Sequence, residues 1–175
     1  MNLPKAYRWL AEEPAPRHLL KAVELYGVTE SVGSKNNPVI LGWAKETNLD
    51  KVYKADSTPW CGLYISVVMF RALRPVVENP LWALNWNDFG VKVNQAMLGD
   101  VLTFTRKSGG HVGLYVGEDG NAYHVLGGNQ ADKVSIVRIA KGRLSEIRRP
   151  QYTSQPTNVR KIILSGNGAL SNNEA

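Results

Sequence analysis

The stretch from Leu63 to Leu73, LYISVVMFRAL, is apolar nearly all round and constrains the fold more than any other part of the chain. A helix without a polar face must be enclosed on most sides by the rest of the protein. Pro75 limits its length, because proline disfavours helix in the residue before it. The predicted helix therefore runs from near Trp60 to just before Pro75, and everything else must be arranged around it. With 175 residues, 43% of them hydrophobic, the chain suits one domain with its own core and not a disordered polymer.

Two more helices are predicted upstream. Residues 14–26 begin with Pro14 and Pro16, place Leu19, Leu20, Val23 and Tyr26 on one face, and stop at Gly27. A second runs from about Asn37 to Thr47, with Pro38 in its first turn and Ile40, Leu41 and Trp43 as apolar positions. PLWALNW, from Pro80, reads as a short fourth helix. The second half of the chain changes period. GDVLTFTR (99–106), HVGLYVG (111–117), NAYHVL (121–126) and KVSIVRI (133–139) are β-branched and aromatic, with turn residues between them. Helices first and an antiparallel sheet afterwards make an α+β pattern. A single domain is expected over residues 1–153, with a helical lead-in over 1–58 and the cysteine helix and sheet over 59–153. Residues 154–175 turn polar and are expected to form a flexible tail, in which NVRKIIL could supply a late edge strand.

The formal net charge is +6, and its lysines and arginines are scattered apart from one short cluster, Arg143 to Arg149. This is a general attraction to anionic partners such as a membrane or an acidic wall polymer, without the footprint of a nucleic-acid binder. A single cysteine excludes an intrachain disulfide and argues against a cysteine-rich zinc site. The carboxylates lack the spacing of a calcium loop, so neither metal nor cofactor is expected. No apolar run approaches the ~20 residues that cross a bilayer. The first twenty residues lack the features of a secretory signal, so the chain is expected to be made in the cytoplasm. A monomer is expected.

The one cysteine, Cys61, falls at the first turn of the apolar helix. Backbone N–H groups there have no intrahelical partner and the helix end carries partial positive charge. A thiolate at that place is stabilised, and a pKa below the ordinary ~8.5 is expected. Gly62 is expected to leave room for a substrate. The competing reading is that Cys61 is a small buried hydrophobe, and a nucleophile needs a base. Of three histidines, His18 reads as a surface or boundary residue of the first helix. His111 opens a strand and His124 lies inside the next. With Asp119-Gly120 as a two-residue hairpin turn, Tyr115 faces His124 and His111 faces Gly128, which folds LGGNQ back beside His111. His124 then lies four residues away, roughly 13 Å. In a regular ladder Asn129 would point to the opposite face, and a bulge at Gly127-Gly128 or a one-residue register change would re-aim it. Cys61 as nucleophile, His111 as base and Asn129 as the group that orients the imidazole are the candidate catalytic residues, with His124 as the alternative third.

PWCGLYISVVMFRAL, GDVLTFTRKSGGHVGLYVGEDG, LGGNQADKVSI and EIRRP follow one another, preceded by YGVTESVGSKNNPVILGWAKE. Over about residues 16–150 this resembles the NlpC-like and CHAP-like cysteine peptidoglycan hydrolases, specifically their small phage-associated branch. The resemblance implies a papain-like fold and hydrolysis of an amide bond in the peptide part of peptidoglycan. It assigns the nucleophile to Cys61, the base to His111 and the third polar residue to Asn129, and puts the Cys61 N–H in an oxyanion hole. Many NlpC-like members carry a histidine near the position of His124. Asp100 is expected to fix the turn into its strand, and Trp60, Trp86 and Gln130 are candidates for lining the cleft. Some CHAP-like relatives bind calcium. An endolysin released by a holin, or a virion lysin, is the leading expectation, acting on the wall or periplasm of a bacterium. The alternatives are an amidase toxin injected by a secretion system, an inactive hydrolase-fold tail or binding module, and an acyltransferase or amidase for small metabolites.

Overall fold

The structure is a computed structural model, and it describes residues 2–33, 35–107, 109–166 and 168–171. Its helices are α1 (Arg17–Glu24), α2 (Pro38–Glu46) and α3 (Cys61–Arg71), with 3-10 helices at Lys5–Ala11, Ala83–Asp88 and Lys141–Arg143. The apolar run is α3, and every residue from Cys61 to Met69 is buried. The Tyr64 hydroxyl donates to the Ala22 carbonyl of α1 at 3.0 Å, and its ring meets Trp43 of α2 at 6.1 Å. Asn37 caps α2 by accepting the Val39 N–H at 2.8 Å, and Pro38 occupies the first turn, where no N–H is needed. Leu73, with φ +57°, ends α3 in a left-handed turn. There the Arg74 N–H reaches the Met69 carbonyl at 2.9 Å and the Leu73 N–H reaches Phe70 at 3.0 Å. The expected fourth helix forms as the 3-10 turn Ala83–Asp88.

The strands are β1 (Val91–Lys92), β2 (Val101–Arg106), β3 (Gly109–Glu118), β4 (Ala122–Gly127), β5 (Ser135–Ala140) and β6 (Leu144–Arg149). They form one antiparallel sheet in the order β1-β6-β2-β3-β4-β5. The mixed helix-and-sheet class expected from the sequence is therefore present. β1 and β6 were not expected. LSEIRR reads as polar because Ile147 alone is buried, against Leu102. One face of the sheet carries α3 and the main core, including Val112, Leu114 and Val116 of β3. The other carries a smaller cluster built on Leu102, Phe104, Tyr115, Val125, Ile139 and Ile147.

Part of the region expected as a tail packs on this second cluster. Ile162 accepts the Glu118 N–H at 2.9 Å, and the Leu164 N–H donates to the Glu118 carbonyl at 2.8 Å. Asn167 and residues 172–175 of that region lie outside the described residues. Asp100 is fully buried, accepts the Met97 N–H at 2.8 Å and takes both arms of Arg149 at 2.9 and 2.7 Å. It holds the turn into β2, and β6 to β2. Among the described residues no helix is long and apolar enough to cross a membrane.

His18 is not the surface residue expected. It is 0% exposed, and its Nε2–H donates to the Gly99 carbonyl at 2.7 Å. Gly99 has φ +86°, and a side chain there would strike Pro16 and the His18 ring. Burial pushes the His18 pKa down from 6.5 to about 4. The ring stays neutral in the fold while the unfolded chain takes up a proton below its own pKa. Stability is therefore lost as the pH falls from about 6.5 toward 4, by ~3 kcal/mol for this group. Urea denaturation at steps between pH 7.5 and 4 is expected to show that loss, and His18→Gln is expected to flatten it. An unchanged slope in the variant would assign the acid limb to other groups.

Candidate active site

The site lies where β4 leaves the edge of β3. The ladder pairs Leu114 with Leu126 and Tyr115 with Val125, then shifts, pairing Gly117 with His124 and Glu118 with Tyr123. The hairpin does not use Asp119-Gly120 as a two-residue turn. Four residues lie between Glu118 and Tyr123, and the Asp119 carboxylate accepts the N–H groups of Asn121 and Ala122 at 2.9 and 3.1 Å. The longer turn and the extra residue at Val116 together change the register by one residue from the expected one. β4 then ends at Gly127, and Gly128 lies against Trp60 and Tyr64, where a Cβ would come within 2.7 Å of the indole. β3 continues to Gly109, so its edge at His111–Val112 faces the start of α3.

Strand alternation places His111 on the face away from α3, with its ring stacked on Phe104 at 6.4 Å. The gap beyond Gly127 lets the helix start reach the same point from the side. The Val112 N–H is directed at the Cys61 sulfur, and Val112 adjoins His111 in the chain. Cys61 and His111 thus lie on the stretch of β3 that β4 leaves uncovered, Cys61 through the N–H of the residue that follows His111.

Gln130, and not Asn129, holds the imidazole. Its Oε1 lies 3.0 Å from His111 Nε2. Its amide nitrogen is spent on the Ser135 carbonyl at 2.6 Å and the Val125 carbonyl at 3.3 Å. Those acceptors fix which end of the amide is nitrogen, so the oxygen faces the ring and Nε2 must be the donor. In the neutral ring the lone pair is then on Nδ1. Gln130 is delivered by the turn after β4, where Ala131 and Asp132 have φ +53° and +60° and the Gln130 N–H donates to the Lys133 carbonyl at 3.0 Å. Asn129 is 3% exposed, also has positive φ, and its Oδ1 makes no hydrogen bond. The position after Asn129 offers the same carbonyl chemistry on a longer stem, and the sequence carries no signal for which of the two side chains the turn aims.

The other candidates fall elsewhere. His124 pairs with Gly117, six residues along β3 from His111, or roughly 20 Å at ~3.3 Å per residue. It is a structural link, bonded through Nε2 to Asp119 at 2.8 Å and through Nδ1 to the Tyr7 hydroxyl at 2.7 Å. Trp60, Trp86 and Gln130, expected along the cleft, are all 0% exposed. Trp60 packs on Trp43 at 5.9 Å and donates to Glu30 at 2.6 Å, while Trp86 donates to the Pro80 carbonyl at 2.9 Å. Gly62 does not open space for a substrate. A Cβ there would lie 2.2 Å from the Pro80 carbonyl oxygen, so glycine is required by chain packing.

The thiol also departs from expectation. Cys61 is 3% exposed, and burial pushes its pKa up. The Val112 N–H, the positive charge of Arg106, and the N–H groups of Gly62 and Cys61 pull it down, in that order, without prevailing. Arg106, at the end of β2, is a contributor the sequence reading missed. Its influence comes from the β2–β3 hairpin, which pairs it with Gly109. Cys61 therefore rests as a thiol. Among the described residues no cluster of His, Cys, Asp and Glu could hold a metal ion. Compared with known families and curated proteins, the chain matches none.

Alkylation of native Cys61 by iodoacetamide is expected to have its pH midpoint above the ~8.5 of a free cysteine. Arg106→Gln is expected to move it higher, because a thiolate loses the cation that favours it. A wild-type midpoint below that of a free cysteine would overturn the argument from burial.

Proposed function

We propose that the protein is a cysteine hydrolase that cleaves an amide bond in the peptide part of bacterial peptidoglycan, in a papain-like arrangement. Cys61 is the nucleophile, His111 the base and Gln130 the residue that orients the imidazole. The observation that carries this reading is the convergence at the open edge of β3. A thiol at the start of a buried helix accepts the N–H of Val112, the chain neighbour of a histidine whose Nε2 proton is fixed by a buried amide. The sequence resemblance to NlpC-like and CHAP-like hydrolases supplies the substrate class, and the net charge of +6 suits an anionic envelope.

In this mechanism His111 Nδ1 takes the thiol proton as the sulfur attacks the carbonyl carbon. The N–H of Cys61 stabilises the oxyanion, and the same imidazole returns the proton to the leaving amine. Water, deprotonated by His111, then releases the acyl group from the sulfur. A thiol that stays protonated at rest makes the base essential, because no standing thiolate does its work. The chain would act as an endolysin or virion lysin, or as a toxin delivered into a rival cell. A second reading, an inactive hydrolase-fold module, draws on the burial of Cys61 and its raised pKa.

Purified Gram-negative sacculi digested with wild type are expected to release soluble fragments, with new termini identified by mass spectrometry. Cys61→Ala is expected to release none. Gln130→Ala is expected to slow release about 10²-fold, the lower range for losing a positioned general base. No release by wild type from several wall chemotypes would favour the inactive module.

A further inference from the structure

The turn between β4 and β5 carries a buried acceptor that the protein itself leaves unused. Asn129 is 3% exposed and its Oδ1 accepts no hydrogen bond, although the next residue is the one that holds His111. Its backbone has φ +55°, a conformation that costs most side chains energy and that asparagine tolerates better than others. An acceptor buried without a donor adds a desolvation cost to that strain. Costs of both kinds gather where a chain binds or reacts. The place of Asn129 is fixed from both sides. Before it, Gly128 packs on α3, where a Cβ would lie 2.6 Å from the Tyr64 Cβ and 2.7 Å from the Trp60 ring. Trp60 precedes Cys61, and Tyr64 stands about one helical turn from it on the same side of α3. After it, Gln130 Oε1 lies 3.0 Å from His111 Nε2. Asn129 is one Cα step of about 3.8 Å from each of these neighbours. Further along the same turn, Ala131 and Asp132 border a groove of about 460 Å³, a size ordinary for a ligand site, which brings open space to the turn.

We propose that Asn129 is a substrate contact, its Oδ1 accepting a backbone N–H of the bound stem peptide next to the bond that is cut. The inference rests on the hydrolase reading above and adds to it a residue that reads the peptide backbone. Oδ1 can only accept, so its partner must be a donor. A neutral amide N–H exchanges one hydrogen bond to water for one to Oδ1, whereas a buried ammonium would need far more than one amide oxygen to offset its desolvation. A peptide substrate presents such N–H groups close to its scissile amide. Gln130 and Asn129 then divide the work of one turn: the first holds the imidazole, and the second holds the chain that the imidazole serves. Asn129 is a binding residue in this scheme, and takes no part in proton transfer.

The test uses the full chain and N-acetylmuramoyl pentapeptide, with a series of analogues in which each peptide N–H in turn is replaced by an ester oxygen. Glycine and aspartate both accept a left-handed backbone at this position; aspartate keeps an acceptor oxygen and glycine removes it. Binding is measured by calorimetry in Cys61→Ala, which cannot turn over. One analogue is expected to bind about fivefold more weakly than the parent peptide, the scale of one neutral hydrogen bond. Adding Asn129→Gly is expected to weaken the parent by about the same factor and to abolish the difference between the two ligands, while Asn129→Asp keeps that difference. With active enzyme, Asn129→Gly is expected to raise KM about fivefold and leave kcat nearly unchanged. Unchanged binding and KM in Asn129→Gly, with or without a fall in melting temperature, would overturn the contact and make Asn129 a turn former. A series in which no N–H is coupled to Asn129 would overturn it too. If wild type cuts neither this probe nor sacculi, the hydrolase reading falls, and the calorimetric cycle still decides the contact. Absence of binding, or binding indifferent to Asn129, then overturns it, and coupled binding upholds it, so the two failures are distinguishable.

Discussion

Enclosing α3 is the constraint on which the rest of the structure depends. Nine consecutive buried residues leave no face for solvent, so the helix needs neighbours on every side. α1 and α2 cover one flank through Tyr64 and Trp43, the sheet covers another through Val112, Leu114 and Val116, and the Pro80–Leu81 backbone closes the N-terminal end against Gly62. A mount held from so many directions cannot shift without disturbing the whole core. It is therefore a rigid base for the one residue at its tip, Cys61.

The candidate site is a consequence of an interruption in the sheet. A continuous β4 would occupy the edge of β3 where the helix tip now sits. The chain leaves at Gly127 because its next residues cannot carry side chains: a Cβ at Gly127 would strike Gln130 and His111, and one at Gly128 would strike Trp60 and Tyr64. The two glycines thus make room for the imidazole, its amide support and the Trp60 and Tyr64 side chains at once. The left-handed turn at Ala131 and Asp132 then returns the chain to β5 with Gln130 pointing inward.

Elsewhere the fold is fastened by buried charges with complete partners. Asp100 joins Arg149 and the Met97 N–H, tying β6 to β2. Asp119 takes Arg138, two backbone N–H groups and His124, and Arg138 holds its carboxyl well below the usual carboxylate range, with these hydrogen bonds adding to the effect. Through His124 and Tyr7 that network reaches the N-terminal 3-10 helix. Removing one partner from such a site leaves an uncompensated charge, which costs far more than the loss of a surface pair.

The sequence by itself determined the class of the fold, the central helix with Cys61 in its first turn, and four of the six strands among the described residues. These follow from local physics: apolar periodicity, proline and glycine punctuation, and the rarity of cysteine in this chain. It did not determine β6, where Arg149 and Glu146 find partners in Asp100 and Lys92, residues distant in sequence. Nor did it determine the burial of His18, the occupied space at Gly62, or the upward shift of the Cys61 thiol. The choice of Gln130 over Asn129 was decided by tertiary structure alone. A one-residue difference in hairpin register, a bulge at Val116 and a left-handed turn at Ala131 set where each carbonyl points, and each reflects how strands and helices fit together. Residue type is legible in a sequence, but the direction of a side chain is settled only by the packing around it.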